Sequence, residues 1–138
     1  MVTINASRAI EAPLDQIWEI VSNIDNDPKY WQGLNSIKNI SKKDNVTERE
    51  VIVGFRNSKA RQTVILNPKK SIEITMTEGP IIGTRVITLN PMGDNKTKID
   101  VSWDVKKWNV PFIAKNKIQN HVTESTTEAL NKIAAEAE

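Results

Sequence analysis

The stretch Ile10–Leu34, IEAPLDQIWEIVSNIDNDPKYWQGL, changes its periodicity twice and so decides what kind of sheet can be built around it. Upstream, Val2, Ile4, Ala6 and Ile10 fall on one face and Thr3, Asn5, Ser7 and Glu11 on the other, which predicts a half-buried strand over 2–12. Arg8 stands on the apolar side of that strand. Ala12-Pro13 ends it, because the fixed φ of proline suits the first turn of a helix, where its missing N–H is not needed. Ile17, Ile20, Val21 and Ile24 then follow helical spacing with Trp18 at their flank. Asn26-Asp27-Pro28 breaks that helix, and a second short helical turn over 29–32 leads to Gly33. Tyr30 and Trp31 side by side, in a chain with only 5% aromatics, suggest that this corner holds something in place.

Beyond Leu34 the period becomes two. Strands are predicted at 35–44, 46–56, 60–67, 70–78, 82–91 and 97–106. Lys43-Asp44-Asn45, Arg56-Asn57-Ser58, Asn67-Pro68-Lys69, Gly79-Pro80 and Asn90-Pro91-Met92-Gly93-Asp94 supply turn chemistry between them. Connections this short join antiparallel neighbours. From Pro111 a long helix is predicted, with Ala114, Ile118, Val122, Ser125, Thr126, Ala129 and Ile133 on one face and Leu130 at its edge. That face is apolar at both ends and small or hydroxylated in the middle.

Composition narrows the chemistry. A chain of 138 residues with 38% hydrophobic and 26% charged residues fits one globular unit spanning 1–138. It has no cysteine, which removes disulfides and thiolate chemistry, and a single histidine, His121, which leaves no zinc constellation. No metal or cofactor is expected. The opening MVTINASRAIEA lacks a basic region followed by an apolar one, so a cytoplasmic location is expected. A net charge of +2 with scattered lysines and no aromatic stacking platform gives no footprint for specific nucleic-acid binding. Oligomeric state has no signature here.

The element order is strand, two short helices, six antiparallel strands and a long helix. A curved antiparallel sheet must bury its apolar face, and only the last helix is long enough to cover it. The expected fold is therefore α+β, a sheet wrapped around the C-terminal helix. Ile10–Leu34 also resembles the opening of START-like proteins (the polyketide cyclase/dehydrase, helix-grip or SRPBCC superfamily). Val53-Gly54-Phe55, Glu78-Gly79-Pro80 and Leu89-Asn90-Pro91-Met92-Gly93-Asp94 are similar to later patterns of its coenzyme Q-binding branch. The resemblance spans the whole chain. It implies a helix-grip fold with seven strands and a cavity between sheet and helix. A fold shared by carriers, receptors, cyclases and regulators does not by itself name a function. The glycine-rich loop of the pollen-allergen branch is absent between Lys42 and Thr47.

Ser125, Thr126 and Ala129 are undersized where a filled core favours Leu or Ile, so either a hollow lies there or Phe55, Met76 and Trp103 fill it. On the hollow reading, the candidate ligand-binding residues are Arg8, Trp31, Phe55, Thr75, Met76, Arg85, Trp103, Ile118, His121, Val122, Ser125 and Ala129. Arg8 and Arg85 share strand faces with apolar residues, and a buried arginine needs an internal carboxylate or an acidic or carbonyl-bearing ligand. Lys106, Lys107, Trp108 and Phe112, at the start of the long helix, form a candidate gate or a contact with an anionic membrane surface. The alternative for that segment is a plain hydrophobic helix start. The favoured function is non-catalytic binding or transport of a small hydrophobic molecule such as a lipid or isoprenoid quinone. The alternatives are a polyketide-type aromatase/cyclase and a regulatory protein-interaction module.

Overall fold

The computed structural model describes residues 2–138. Strand β1 (Val2–Ile10) is followed by helix α1 (Leu14–Ser22), a 3-10 turn at Ile24–Asn26 and the short helix α2 (Asp27–Tyr30). Six strands succeed one another: β2 (Leu34–Lys43), β3 (Val46–Val53), β4 (Ser58–Asn67), β5 (Ser71–Glu78), β6 (Ile81–Pro91) and β7 (Thr97–Trp108). A 3-10 turn at Phe112–Ala114 then leads into helix α3 (Lys115–Ala137). The order across the seven-stranded sheet is β1-β7-β6-β5-β4-β3-β2, antiparallel at every step. This is the helix-grip architecture, a curved sheet closing on one long helix.

That order explains the opening segment. β1 and β2 lie at opposite edges of the sheet, so α1 and α2 carry the chain from one edge to the other. The break at Ala12-Pro13 is fixed by the buried Thr97 hydroxyl, which donates to the Ala12 carbonyl at 2.9 Å. The break at Asp27-Pro28 serves a different purpose. Pro28 sits in the first turn of α2, and the buried Asp27 carboxylate accepts from Arg49 Nη2 on β3 at 2.8 Å. Arg49, fully buried, also donates to Gln62 Oε1 on β4 at 2.9 Å and to the Ile24 carbonyl at 3.0 Å. One guanidinium thus ties the helical corner to two strands. Burial pushes the Asp27 carboxyl above its ordinary range, against the pull of Arg49 and of the more distant Arg85.

The C-terminal half of α3 lies close to the sheet. Ala129, Leu130, Ile133 and Ala134 are buried, together with Ile10, Ile72, Ile74, Ile99 and Val101 of the strands. Gln16 Nε2 on α1 donates to the Ala137 carbonyl at 2.7 Å, and Tyr30 and Lys29 of α2 both bond to Glu136. The two short helices therefore cradle the far end of α3. Near its other end β6 carries a register shift between Ile82 and Gly83. Gly83 has a φ of 156°, and a Cβ there would lie 2.1 Å from the Asp104 carbonyl oxygen, so only glycine permits this approach of β6 to β7.

Element boundaries depart from the sequence pattern at a few places. β1 stops at Ile10 because Ala12 N–H turns back to the Ile10 carbonyl at 2.9 Å. The second short helix is Asp27–Tyr30, earlier than the expected 29–32, since Asp27 must face Arg49. β3 ends at Val53, so Phe55 belongs to a 3-10 turn and not to a strand.

Removing the buried arginine strands Asp27. Arg49→Ala is expected to destabilise the fold by about 3–5 kcal/mol, because an unpaired buried carboxylate remains. Equilibrium urea denaturation checks this; a loss below about 1 kcal/mol contradicts the structural role given to the pair.

Candidate functional site

The N-terminal half of α3 stands away from the sheet, and a cavity of about 460 Å3 lies between them. Two walls and a rim form it. Ala114, Lys117, Ile118, His121, Val122 and Ser125 come from the turn and helix; Val53, Ala60, Gln62, Met76, Arg85 and Trp103 come from β3 to β7. The rim is made by Trp31–Leu34, Gly54-Phe55 and Pro80-Ile81. The Gly54 N–H donates to the Gly33 carbonyl at 2.8 Å and joins two rim loops. The wall is mostly apolar. A dry void of this size costs on the order of 11 kcal/mol at ~24 cal/mol per Å3, comparable with the whole stability of a typical domain. Such a volume must be wetted or filled.

The undersized middle of α3 divides in its effect. Ser125 lines the cavity, and its hydroxyl is directed to the Val122 carbonyl at 3.1 Å. Thr126 does not line it: its Oγ1 accepts from Trp103 Nε1 at 2.9 Å and donates to the Val122 carbonyl at 2.7 Å. That bond fixes the Trp103 ring as a wall. Ala129 is fully buried in the closed core, where its smallness lets the helix approach the sheet. The hollow therefore sits one to two turns nearer the N-terminus of α3 than the run of small residues suggests.

Of the residues singled out from the sequence, Trp31, Phe55, Met76, Arg85, Trp103, Ile118, His121, Val122 and Ser125 come together around the cavity. Phe55 and the exposed His121 stand at its margin. Arg8, Thr75 and Ala129 lie outside it. Arg8 keeps to the inner side of β1 but bonds to Asn131 on the far half of α3. Thr75 belongs to the outer face of β5, opposite Thr63 and Thr84, while Ile74 and Met76 face inward. Lys106, Lys107 and Trp108 end β7 and do not start the long helix, which begins only at Lys115 after the turn that Phe112 opens; Lys106, Lys107 and Phe112 are exposed and Trp108 is half-buried. Phe112 and Ile113 are 89% and 92% exposed, and the turn they form ends at Ala114 on the cavity wall.

Arg85 dominates the electrostatics. Its guanidinium lies 3.8 Å from the centroid of the Trp31 ring and 5.4 Å from that of Trp103. The two indoles meet edge to face, with centroids 6.4 Å apart. Arg85 is 5% exposed, and its Nε is buried without a hydrogen-bond partner among the described residues. Burial lowers its pKa to about 10, with Asp27 opposing that shift, so it is a cation at neutral pH.

Among the buried polar residues of this region, Asp27, Arg49 and Gln62 had no part in the sequence-derived set. The signal for two was present. Arg49 alternates with Thr47 and Val51, and Gln62 with Ala60 and Val64, so both polar residues stand on an apolar phase. Asp27 carried only the mark of a helix break.

No curated protein sequence matches this chain. Its fold is similar to that of the Zhui aromatase/cyclase from Streptomyces sp. R1128, with a TM-score of 0.84 at 13% identity over 99% of this chain and 93% of that one. It is similar to a START superfamily protein from Mycobacterium smegmatis, with a TM-score of 0.75 at 16% identity over 99% of both chains. A protein from Thermus thermophilus superposes with a TM-score of 0.80 at 13% identity, over 97% of this chain and 95% of that one. At such identities the likeness concerns the fold alone. The family model for polyketide cyclase/dehydrase and lipid transport matches residues 1–138, and the chain belongs to that family.

Proposed function

We propose that the protein binds a small hydrophobic molecule in the cavity under the N-terminal half of α3 and carries or senses it without transforming it. The cavity itself supports this reading: about 460 Å3, mostly apolar, within the ~300–1,000 Å3 range of small-molecule sites. Burying ~300 Å2 of apolar ligand surface gives about 7 kcal/mol gross at ~25 cal/mol per Å2, before association costs, so micromolar binding is reasonable. A lipid or an isoprenoid quinone fits that description. The resemblance of Val53-Gly54-Phe55 to coenzyme Q-binding proteins favours an isoprenoid tail and leaves the head group open, and those residues stand at the cavity wall and rim.

The turn Phe112–Ala114 supplies a route in. Phe112 and Ile113 project from a setting of Lys106, Lys107, Lys115 and Lys117, which suits the surface of an anionic bilayer. Among the described residues no helix is long and apolar enough to cross a membrane; the contact in this reading is superficial and transient.

A second reading is cyclisation of a polyketide-type chain. It is favoured by the polar side chains of Arg85, Gln62 and His121 converging on the same volume. Arg85 would polarise a carbonyl and His121 would move a proton, since such chemistry needs an acid or base within reach. On that reading His121→Gln abolishes turnover of a poly-β-keto thioester mimic while leaving its binding intact; on the carrier reading no turnover is detected in either protein.

Two measurements check the carrier reading. Nile red, a neutral hydrophobic probe, is expected to bind the wild-type protein, and Ser125→Phe is expected to weaken that binding about tenfold or more by filling the cavity, with no loss of thermal stability. Binding that is absent, or indifferent to Ser125→Phe, contradicts it. Phe112→Asp combined with Ile113→Asp is expected to slow transfer of Nile red to anionic vesicles severalfold without changing its affinity; unchanged transfer removes the proposed route.

A further inference from the structure

We infer that the ligand is a hydrophobic carboxylic acid whose carboxylate lies against the in-plane N–H edge of Arg85. This rests on the reading of the cavity as a small-molecule site and names the chemistry of what enters it.

Among the described residues, the buried charged side chains are Arg49, Arg85 and Asp27. Asp27 is committed to Arg49 at 2.8 Å, and the remaining bonds of Arg49 go to the neutral Gln62 and the Ile24 carbonyl. Two buried cations thus share one buried anion, and Arg85 is the one left over. Asp104 has an unpartnered Oδ1, but it lies on the other side of the sheet: it pairs with Thr84 on β6, whereas Arg85 pairs with the inward Trp103. Among the described residues, no inner-face carboxylate other than Asp27, already bonded to Arg49, acts on Arg85.

The aromatic surroundings narrow the geometry. Trp31 and Trp103 attract the guanidinium through their ring faces, which steadies the charge but supplies no acceptor in its plane. The buried Nε has no partner among the described residues, so at least one donor of the guanidinium is unsatisfied. Guanidinium edges match planar two-oxygen anions, which accept two parallel N–H bonds. A neutral carbonyl satisfies one donor and leaves the charge uncompensated. A phosphate monoester brings more charge than the one buried guanidinium answers, beside Leu34, Val53, Ala60, Met76 and Ile118; Lys117, the other cation on the wall, is exposed to solvent. One buried cation in a mostly apolar cavity calls for one negative charge on an apolar body.

Displacement of Nile red by laurate and by methyl laurate at neutral pH tests this directly. Laurate is expected to displace the probe from the wild-type protein at a concentration about tenfold or more below that of its ester. In Arg85→Gln this preference is expected to vanish, acid and ester then displacing the probe at concentrations within about threefold of one another. Equal displacement by acid and ester from the wild type, or failure of laurate to displace the probe, overturns the inference while leaving the cavity as a binding site. A preference that persists in Arg85→Gln overturns it as well. Failure of Nile red itself to bind strikes the cavity reading and not the acid. The wild-type comparison alone decides the matter if Arg85→Gln does not fold.

Discussion

The ion pair between Arg49 and Asp27 governs the rest of the structure. It draws α2 onto β3 and thereby places Trp31 at the cavity rim, one turn after Asp27. It also uses the only acidic side chain among the buried polar residues described. A fully buried pair of this kind contributes little net stability over an apolar substitute, because the desolvation of both ions offsets their attraction. Its value lies in position. With Asp27 engaged, Arg85 is left as a cation between two indoles, and the inner surface acquires a polar point that a packed core does not need.

Helix α3 has two different jobs along its length, and its side chains record them. Ala129 and Ala134 permit close approach, and Leu130 and Ile133 fill the space beside them. One and two turns earlier, Ser125, Val122 and Ile118 face a sheet that has curved away. Trp103 is held upright by Thr126, so it walls the opening instead of falling into it. The cavity is therefore a consequence of one long helix crossing a bent sheet, with one indole propped where the gap begins. Proteins of this fold differ in chemistry through the few side chains lining that gap, which is why similarity of the whole says little about the ligand.

Most of the architecture was legible in the sequence because its signals are local. Period-two runs, turn residues and the two proline breaks fixed the elements and their order, and short connections fixed antiparallel pairing. The departures have long-range causes. Phe55 leaves the strand because the chain turns early after Val53, and Thr75 faces outward because the phase of β5 is set by Ile72, Ile74 and Met76. The Asp27–Arg49 pair spans two elements far apart in the chain, and nothing local to Asp27 announces it. Small side chains on a helix indicate either a void or a close contact, and the sequence does not separate Ser125, which borders the void, from Ala129, which makes the contact.

The claim beneath all of this is that an open, occupiable volume exists between Trp103 and the first turns of α3. Electron density from crystals of the gently purified protein tests it most directly. The account predicts non-protein density, from a retained ligand or ordered solvent, bounded by Arg85, Met76 and Ile118. A map in which Ile118, His121 and Val122 rest in van der Waals contact on Trp103 and Met76, with no space wider than one solvent molecule, would contradict it.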